Sequence, residues 1–226
     1  MSRIDRKYWL HISKLNLILE QIAPEYFILE IDGKRLMEYQ TTYFDTKENS
    51  MYLKHHNGKT NRHKIRHRTY VSTGSSFLEV KHKTNKKVTV KNRVEIASEN
   101  KNFMPAEINF IKKQTPYQVE NLIPVLNNKF KRLTLIHREM LDRCTIDISP
   151  VFWNEKSEVN INDLAIFELK RGNSLKASPI VGILRDLKIR QRGMSKYCTG
   201  RAILESDLKH NAFNGRLRFL RREIIN

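Results

Sequence analysis

The sequence predicts an α+β fold in which helices pack on an antiparallel sheet. Three observations carry that prediction. Between residues 26 and 98 the side chains mostly alternate in character, and polar turns such as Asn57-Gly58-Lys59 and Gly74-Ser75-Ser76 punctuate the runs. Helical spacing of apolar residues is confined to a few short windows. The 226 residues show no internal repeat and no linker, so one domain over residues 1–204, followed by a basic tail over 205–226, accounts for the chain.

Residues 1–10 read as a strand with Arg3, Asp5 and Lys7 on one face. Leu15, Ile18, Leu19 and Ile22 then predict a helix over 13–22, which Pro24 ends. Strands follow at 26–31, 38–45, 61–71, 76–83 and 87–95. Residues 104–114 and 116–122 read as helices, each opened by a proline. Alternation returns at 129–136, 142–149 and 164–170. Residues 174–189 read as a helix in spite of Pro179 and Gly182, and the tail carries Arg216, Arg218, Arg221 and Arg222.

Charge is the strongest compositional signal. The chain has 42 Lys and Arg against 24 Asp and Glu, a formal net charge of +18. Such an excess implies a polyanionic partner: nucleic acid, anionic lipid or phosphate-rich small molecules. Ten Phe, eight Tyr and two Trp argue for a core and against global disorder. Two cysteines, Cys144 and Cys198, are too few for a disulfide framework or a cysteine metal cluster and fit a reducing compartment. No apolar run approaches the roughly 20 residues a membrane helix needs, and the N-terminus has no signal-peptide core. The expected location is cytoplasmic, with attachment to the inner face of a membrane left open.

In a strand successive side chains point to opposite faces. Over 62–68 this puts Arg62, Lys64, Arg66 and Arg68 on one face, and His63, Ile65 and His67 on the other. Glu79, Lys81 and Lys83 share a face opposite Leu78 and Val80, and Lys91, Arg93 and Glu95 share one opposite Val90 and Val94. Arg132 with Thr134, Arg143 with Thr145 and Asp147, and Glu168 with Lys170 repeat the pattern. A plain solvated face would mix signs, because like charges on neighbouring strands repel. Two readings stand at this point: a wet outer face, or a sheet closed into a barrel whose basic faces line a tunnel for a polyanion.

The motifs behind the pattern resemble a known family. Tyr43-Phe44-Asp45-Thr46, Gly58, the run from Arg62 to Tyr70, Phe77-Leu78-Glu79-Val80-Lys81-His82-Lys83 and Lys91-Asn92-Arg93 occur in the order of the VTC (vacuolar transporter chaperone) polyphosphate polymerase domain. Phe130-Lys131-Arg132, Arg143-Cys144-Thr145-Ile146-Asp147, Phe167-Glu168-Leu169-Lys170 and Ser195-Lys196-Tyr197 continue the match, from about residue 3 to 203. That family belongs to the triphosphate tunnel metalloenzyme superfamily. The resemblance implies an antiparallel β-barrel tunnel wrapped by amphipathic helices. It also implies transfer of the γ-phosphate of ATP to a growing inorganic polyphosphate chain, with Mn²⁺ or Mg²⁺ as cofactor. By motif, Arg66, Arg68, Lys81, Lys91, Arg132, Arg143 and Lys196 become the catalytic cations. Lys64, Lys83, Arg93, Lys170, Ser195, Arg3 and Lys7 become further substrate-binding lining, and Glu168 becomes the metal ligand.

Where the family's first strand usually carries a Glu between two basic residues, this chain has the shorter Asp5, assigned here to orienting Arg3 or Lys7. Eukaryotic relatives attach the domain to membrane helices and a phosphate-sensing module. Neither is in this sequence, so a membrane-protein partner would be a separate chain.

The chemistry suits these residue types. Phosphoryl transfer needs positioning and charge neutralisation more than covalent help. Arg grips two oxygens with one planar fork and stays charged, while Lys adds point charges. A hard cation needs one carboxylate anchor beside phosphate oxygens and waters. An ionised phosphate acceptor needs no general base, whereas a hydrolase must activate water. A tunnel triphosphatase acting on inorganic or nucleoside triphosphate is the nearest alternative, and a non-catalytic polyanion-binding module is the other. Specific nucleic-acid recognition is not expected, because the basic strand faces carry almost no aromatics for stacking. Glu79 is expected to pair with Lys81 or Arg66, and Asp147 to orient Arg143. His55, His56, His63 and His67 are expected at the surface, and Tyr43, Phe44 and Cys144 in the core.

Overall fold

A computed structural model describes residues 4–86, 88–97, 103–172 and 177–224. The strands are β1 (Ile4–His11), β2 (Tyr26–Ile28), β3 (Met37–Thr46), β4 (Arg62–Tyr70), β5 (Ser75–Lys83), β6 (Thr89–Ile96), β7 (Leu122–His137), β8 (Asp142–Trp153), β9 (Glu158–Asn160) and β10 (Leu164–Arg171). The helices are α1 (Leu15–Ile22), α2 (Ser50–His56), α3 (Pro105–Gln114), α4 (Pro179–Asp186), α5 (Lys196–Leu204) and α6 (Asn214–Glu223). All strands belong to one antiparallel sheet in the order β1-β10-β8-β7-β3-β4-β5-β6, with β2 added to β7 and β9 to β8.

The expected ring of strands is not closed by hydrogen bonds. Among the described residues β1 and β6 are the two edges of the path. The wings of the sheet nevertheless face one another, since Lys7 on β1 and Glu168 on β10 both act electrostatically on Lys81 of β5. Part of the gap beside β1 is filled by the segment before α5. Gln191 bridges to Tyr8, and the Arg192 N–H donates to the Lys7 carbonyl at 2.8 Å.

Alternation decides what each face meets. One face of the sheet packs under helices in apolar clusters. α1 and α4 lie over Tyr8, Cys144, Ile146 and Phe167, and α3 lies over Phe44, Ile65, Leu78 and Val80. A third cluster joins α5 and α6 to Trp9, Leu126, Phe152 and Ile166. Burying such side chains stabilises the fold by roughly 1.5–3 kcal/mol each before entropy is counted. The stretch from 205 onward therefore contains a packed helix: Phe213, Leu217, Leu220 and Ile224 are buried in the same cluster as Trp9. Among the described residues no helix is long and apolar enough to cross a membrane.

Several elements differ from the sequence expectation. The helix expected over 116–122 is a single 3₁₀ turn at Val119–Asn121, and β7 begins at Leu122 instead of 129. Pro124 and the pair Asn127-Asn128 mask that strand. The structure accommodates the proline where the β3–β7 register shifts between Tyr43 and Phe44, which pairs Phe44 with Pro124. The helix expected over 174–189 spans Pro179–Asp186, and its first residues lie outside the described ones, as does Arg3. α2 has no sequence signal of its own, because the carboxylate that caps it comes from β3, as described below.

Candidate active site

The charged faces of β4, β5 and β6 fall into register. Arg66 stands opposite Glu79, which stands opposite Arg93; Lys64 stands opposite Lys81, which stands opposite Lys91. Glu79 is 1% exposed and gathers its neighbours. Its carboxylate accepts from Arg66 Nε at 2.7 Å and is 2.5 Å from Lys91 Nζ. Burial alone would raise the Glu79 pKa, but Arg66, Arg68 and Lys91 outweigh it and hold the group at about 2. The expected pairing with Arg66 is present. Arg68 is buried beside Thr41, whose hydroxyl accepts from its Nε at 3.2 Å. Burial first, then the Arg66 charge, lowers the Arg68 guanidinium to about 10. Arg93 is exposed and lies 4.5 Å from the centre of the Phe77 ring.

The opposite wing is built from two charge clusters. Asp147 is buried and accepts from Arg132 through both Nε, at 2.5 Å, and Nη2, at 2.8 Å, and it also pairs with Lys196 Nζ. Glu168 lies 3.5 Å from Lys7 Nζ and 3.6 Å from Lys170 Nζ. Burial opposes its ionisation, but Lys7, Lys170, Arg132 and Lys196 together hold its pKa at about 2. The expected partnership of Asp147 with Arg143 is absent. Register places Asp147 opposite Arg132, whereas Arg143 stands opposite Lys170 at the far end of the face and is exposed. Asp5 stands opposite Lys170 as well.

Aromatic rings underlie the cations. Arg132 lies 5.0 Å from the Tyr39 ring and 5.2 Å from the Phe130 ring, Arg68 lies 5.8 Å from each, and Lys196 lies 4.3 Å from Phe130. The Tyr43 ring supports Arg66 at 5.9 Å. The expectation of basic faces almost free of aromatics holds for β4 itself but misses these rings, which arrive from β3 and β7. Phe130 and Tyr43 are 1% and 3% exposed, so they steady guanidinium groups and cannot stack on nucleobases.

Ser195 and Lys196 reach the site because α5 is seated tightly. Ser195 caps α5 by accepting from the Cys198 N–H at 3.2 Å, and it also accepts from Lys64 Nζ at 2.9 Å, linking the segment beside β1 to β4. Gly200 lets the helix approach the sheet closely: a Cβ there would fall 2.5 Å from Phe152 Cδ1 and 2.9 Å from Leu126 Cδ2. A buried carboxylate fixes the orientation. Asp45, on β3, accepts from the N–H groups of Thr46, Met51 and Tyr52 at 2.7–2.9 Å, which caps α2. It also accepts from the Tyr197 hydroxyl and from Arg201 Nη1 at 3.5 Å, which anchors α5. Sequence reasoning met Asp45 only as part of a motif. The signal that would have singled it out is an acid at the end of a strand, six and seven residues before the helix N–H groups it caps.

At one end of the face lies a cavity of about 490 Å³ lined by Arg62, Lys64, Lys81, Lys83, Ser195 and Arg216, among others, with no carboxylate in its lining among the described residues. Burial first, then Lys7 and Arg66, lowers the Lys64 pKa to about 8. Burial, then Lys64 and Lys7, lowers Lys81 to about 8. His55 lines the same cavity, and burial with the surrounding Lys and Arg charges keeps it neutral. The histidines depart from expectation: His56, His63 and His67 are buried, and His67 faces Glu107 at 2.9 Å beneath α3. Apolar neighbours such as Phe44 and Phe103 enclose His67, which alternation alone does not reveal.

The residues fit a divalent cation in a limited way. Among the described residues no group of three or more His, Cys, Asp or Glu could hold a metal. Glu168 is ionised, and directly across from it Thr145 Oγ1 is buried without a hydrogen-bond partner. One carboxylate and one hydroxyl suit a hard cation whose other ligands are phosphate oxygens and water.

No curated protein matches the chain. Solved structures do. An adenylate cyclase candidate from Bacillus halodurans is 13% identical, with a TM-score of 0.55, over 86% of this chain and 96% of that one. A Hippeastrum protein, described as an adenylyl cyclase with a dominant triphosphatase activity, is 13% identical, with a TM-score of 0.51, over 89% of this chain and 96% of that one. A protein from Pyrococcus horikoshii is 12% identical, with a TM-score of 0.50, over 91% and 99%. These likenesses show a shared fold, that of the triphosphate tunnel proteins. At sequence level the VTC domain matches residues 2–205, which spans both charge clusters, the cavity lysines and all of α5, and the chain belongs to the VTC domain family.

Proposed function

We propose that the protein is a polyphosphate polymerase that moves the γ-phosphate of ATP onto the end of an inorganic polyphosphate chain. One observation carries the choice of acceptor. The carboxylates of the site are tied up as ions: Glu79 by Arg66 and Lys91, Asp147 by Arg132 and Lys196, Glu168 by Lys7 and Lys170. Glu79 and Glu168 titrate near 2 and are poor bases. A hydrolase needs a group that takes a proton from water, and none of these carboxylates is free to do so. A terminal phosphate oxygen of a chain is already ionised and needs none.

In the proposed reaction Arg66, Arg68, Lys81, Lys91, Arg132 and Lys196 hold the triphosphate and the chain end in line. The acceptor oxygen forms a bond to the γ-phosphorus as the bond from that phosphorus to the β–γ bridging oxygen breaks. ADP leaves with that electron pair, and no proton transfer is required. Fixed guanidinium forks stabilise charge on the equatorial oxygens. Lys64, Lys83, Arg93, Lys170, Ser195 and Lys7 extend the path along which the chain lies. Glu168, with Thr145 beside it, would hold the Mn²⁺ or Mg²⁺ ion, which when bound neutralises phosphate charge.

The test is incubation of purified protein with ATP and Mn²⁺, with and without a short polyphosphate primer, reading both long chains and free phosphate. Chain growth that disappears in Arg66→Ala and Glu168→Gln is the expected result. Free phosphate without chains would replace the polymerase by a triphosphatase, the activity described for the Hippeastrum protein of the same fold.

A further inference from the structure

A second cavity, of about 300 Å³, lies away from the site described above. It is bounded by the β1–α1 corner, the loop after α4 and the outer end of α6. Four cations line it: Lys14, Lys188, Arg190 and Arg192. Among the described residues its lining holds a single carboxylate, Glu223, and none of the four cations has an acid within ion-pairing distance. Lys14, Lys188 and Arg190 are exposed, and Arg192 is half-buried.

Three further features shape the groove. The Arg192 guanidinium is held 4.1 Å from the centre of the Phe219 ring, and its backbone N–H is bonded to Lys7, so its direction is fixed. Trp9 lines the cavity at 1% exposure, and its indole N–H is buried with no acceptor. Lys188 ends α4 in the left-handed conformation, with φ of 58°. Its N–H donates to the Arg185 carbonyl and that of Ile189 to the Leu184 carbonyl. Glycine is the natural residue at such a helix end, and Lys188 places a long side chain there instead.

We propose that this groove is a second anion site, separate from the tunnel face, that takes a soluble inorganic oligophosphate. Four cations spread around one cavity match several linked phosphate groups better than one. Arg190 and Arg192 supply planar forks for phosphate oxygens. The inference does not depend on which reaction the tunnel performs.

Calorimetric titration of the full chain with tripolyphosphate tests it. The expected result is a binding event that survives in a tunnel variant, Arg66→Ala with Lys81→Ala. In that background Arg190→Ala is expected to weaken it about tenfold. Lys188→Gly separates binding from structure: it is expected to weaken the event while raising the melting temperature, because it relieves the positive φ. A purely structural role for Lys188 would move the two together or leave binding unchanged. Loss of all tripolyphosphate binding in the tunnel variant would overturn the proposal. So would a surviving event that Lys188→Gly and Arg190→Ala leave untouched, or binding confined to vesicles carrying phosphorylated inositol lipids.

Discussion

The two wings of the sheet carry similar cations and treat them differently. On the wing of β1, β10, β8 and β7, two carboxylates of the site sit between bases: Asp147 between Arg132 and Lys196, Glu168 between Lys7 and Lys170. On the wing of β4, β5 and β6, Glu79 serves Arg66 and Lys91, but no acid lies within ion-pairing distance of Arg62, Lys64, Lys81 or Lys83 among the described residues. The paired wing is complete without ligand. The unpaired end, which opens into the larger cavity, lacks negative charge that an anion would supply. A single face thus combines a preorganised clamp with an electrostatic sink, and the two should respond differently to mutation and pH.

The largest expected effect lies where the regions meet. Among the described residues Arg66 is the one cation tied both to Glu79 and to the Tyr43 hydroxyl, at 3.3 Å from the latter. Arg66→Ala should lower kcat/KM by about 10²-fold, as for loss of one preorganised donor. Steady-state kinetics at fixed Mn²⁺ check this, and a change confined to KM would show that Arg66 only binds. On the paired wing the main effect is on stability. Asp147→Ala leaves Arg132 and Lys196 together without their shared anion and should cost about 3 kcal/mol in denaturant unfolding. An Asp147→Ala protein as stable as the parent would show that the clamp is not preorganised by this carboxylate.

The unpaired end should reveal itself through pH. Lys64 and Lys81 titrate at about 8 in the folded, empty protein, whereas an unfolded lysine titrates near 10.4. Between those values the unfolded chain binds more protons, so the stability of the empty protein rises with pH from about 8 to about 10. Ligand affinity moves the other way. An oligophosphate binds the charged lysines, so affinity is full below pH 8 and falls above it. Binding at pH 9 should therefore take up protons, measured by calorimetry in buffers of different ionisation enthalpy. Absence of proton uptake at pH 9 would place the ligand away from these lysines.

Much of this was legible in the sequence, for a physical reason. Strand alternation is a local rule, so the shared faces of Arg62 to Arg68 and of Glu79, Lys81 and Lys83 could be read directly. The partners could not. That Asp147 meets Arg132, and Arg143 does not, depends on the β7–β8 register, with its shift between Lys129 and Lys131. Phe130 lies two residues from Arg132 on β7, but its ring under Arg68, and that of Tyr39 under Arg68 and Arg132, come from strands distant in sequence. α2 and the seating of α5 depend on Asp45, whose partners lie up to 156 residues along the chain. Burial of His67 depends on α3 docking over it. Local patterns set which side a residue faces, and long-range register sets whom it meets.

Arg143 gives the smallest expected effect and the sharpest check on that distinction. By motif it belongs with the catalytic cations, and by alternation it shares the face of Thr145 and Asp147. In the structure it is exposed, opposite Lys170 and four residues from Asp147 along β8. An exposed Arg of this kind contributes within about 0.5 kcal/mol to stability. Its distance along the strand from the Asp147 clamp leaves it to act only on a long ligand. Arg143→Ala should therefore leave turnover with ATP and a short primer within about threefold of the parent, since screened surface charges are worth little. With long-chain polyphosphate the same variant should dissociate faster and respond less steeply to salt. A hundredfold loss with the short primer would move the reacting phosphates to the β8–β10 end and invert the assignment of the two wings.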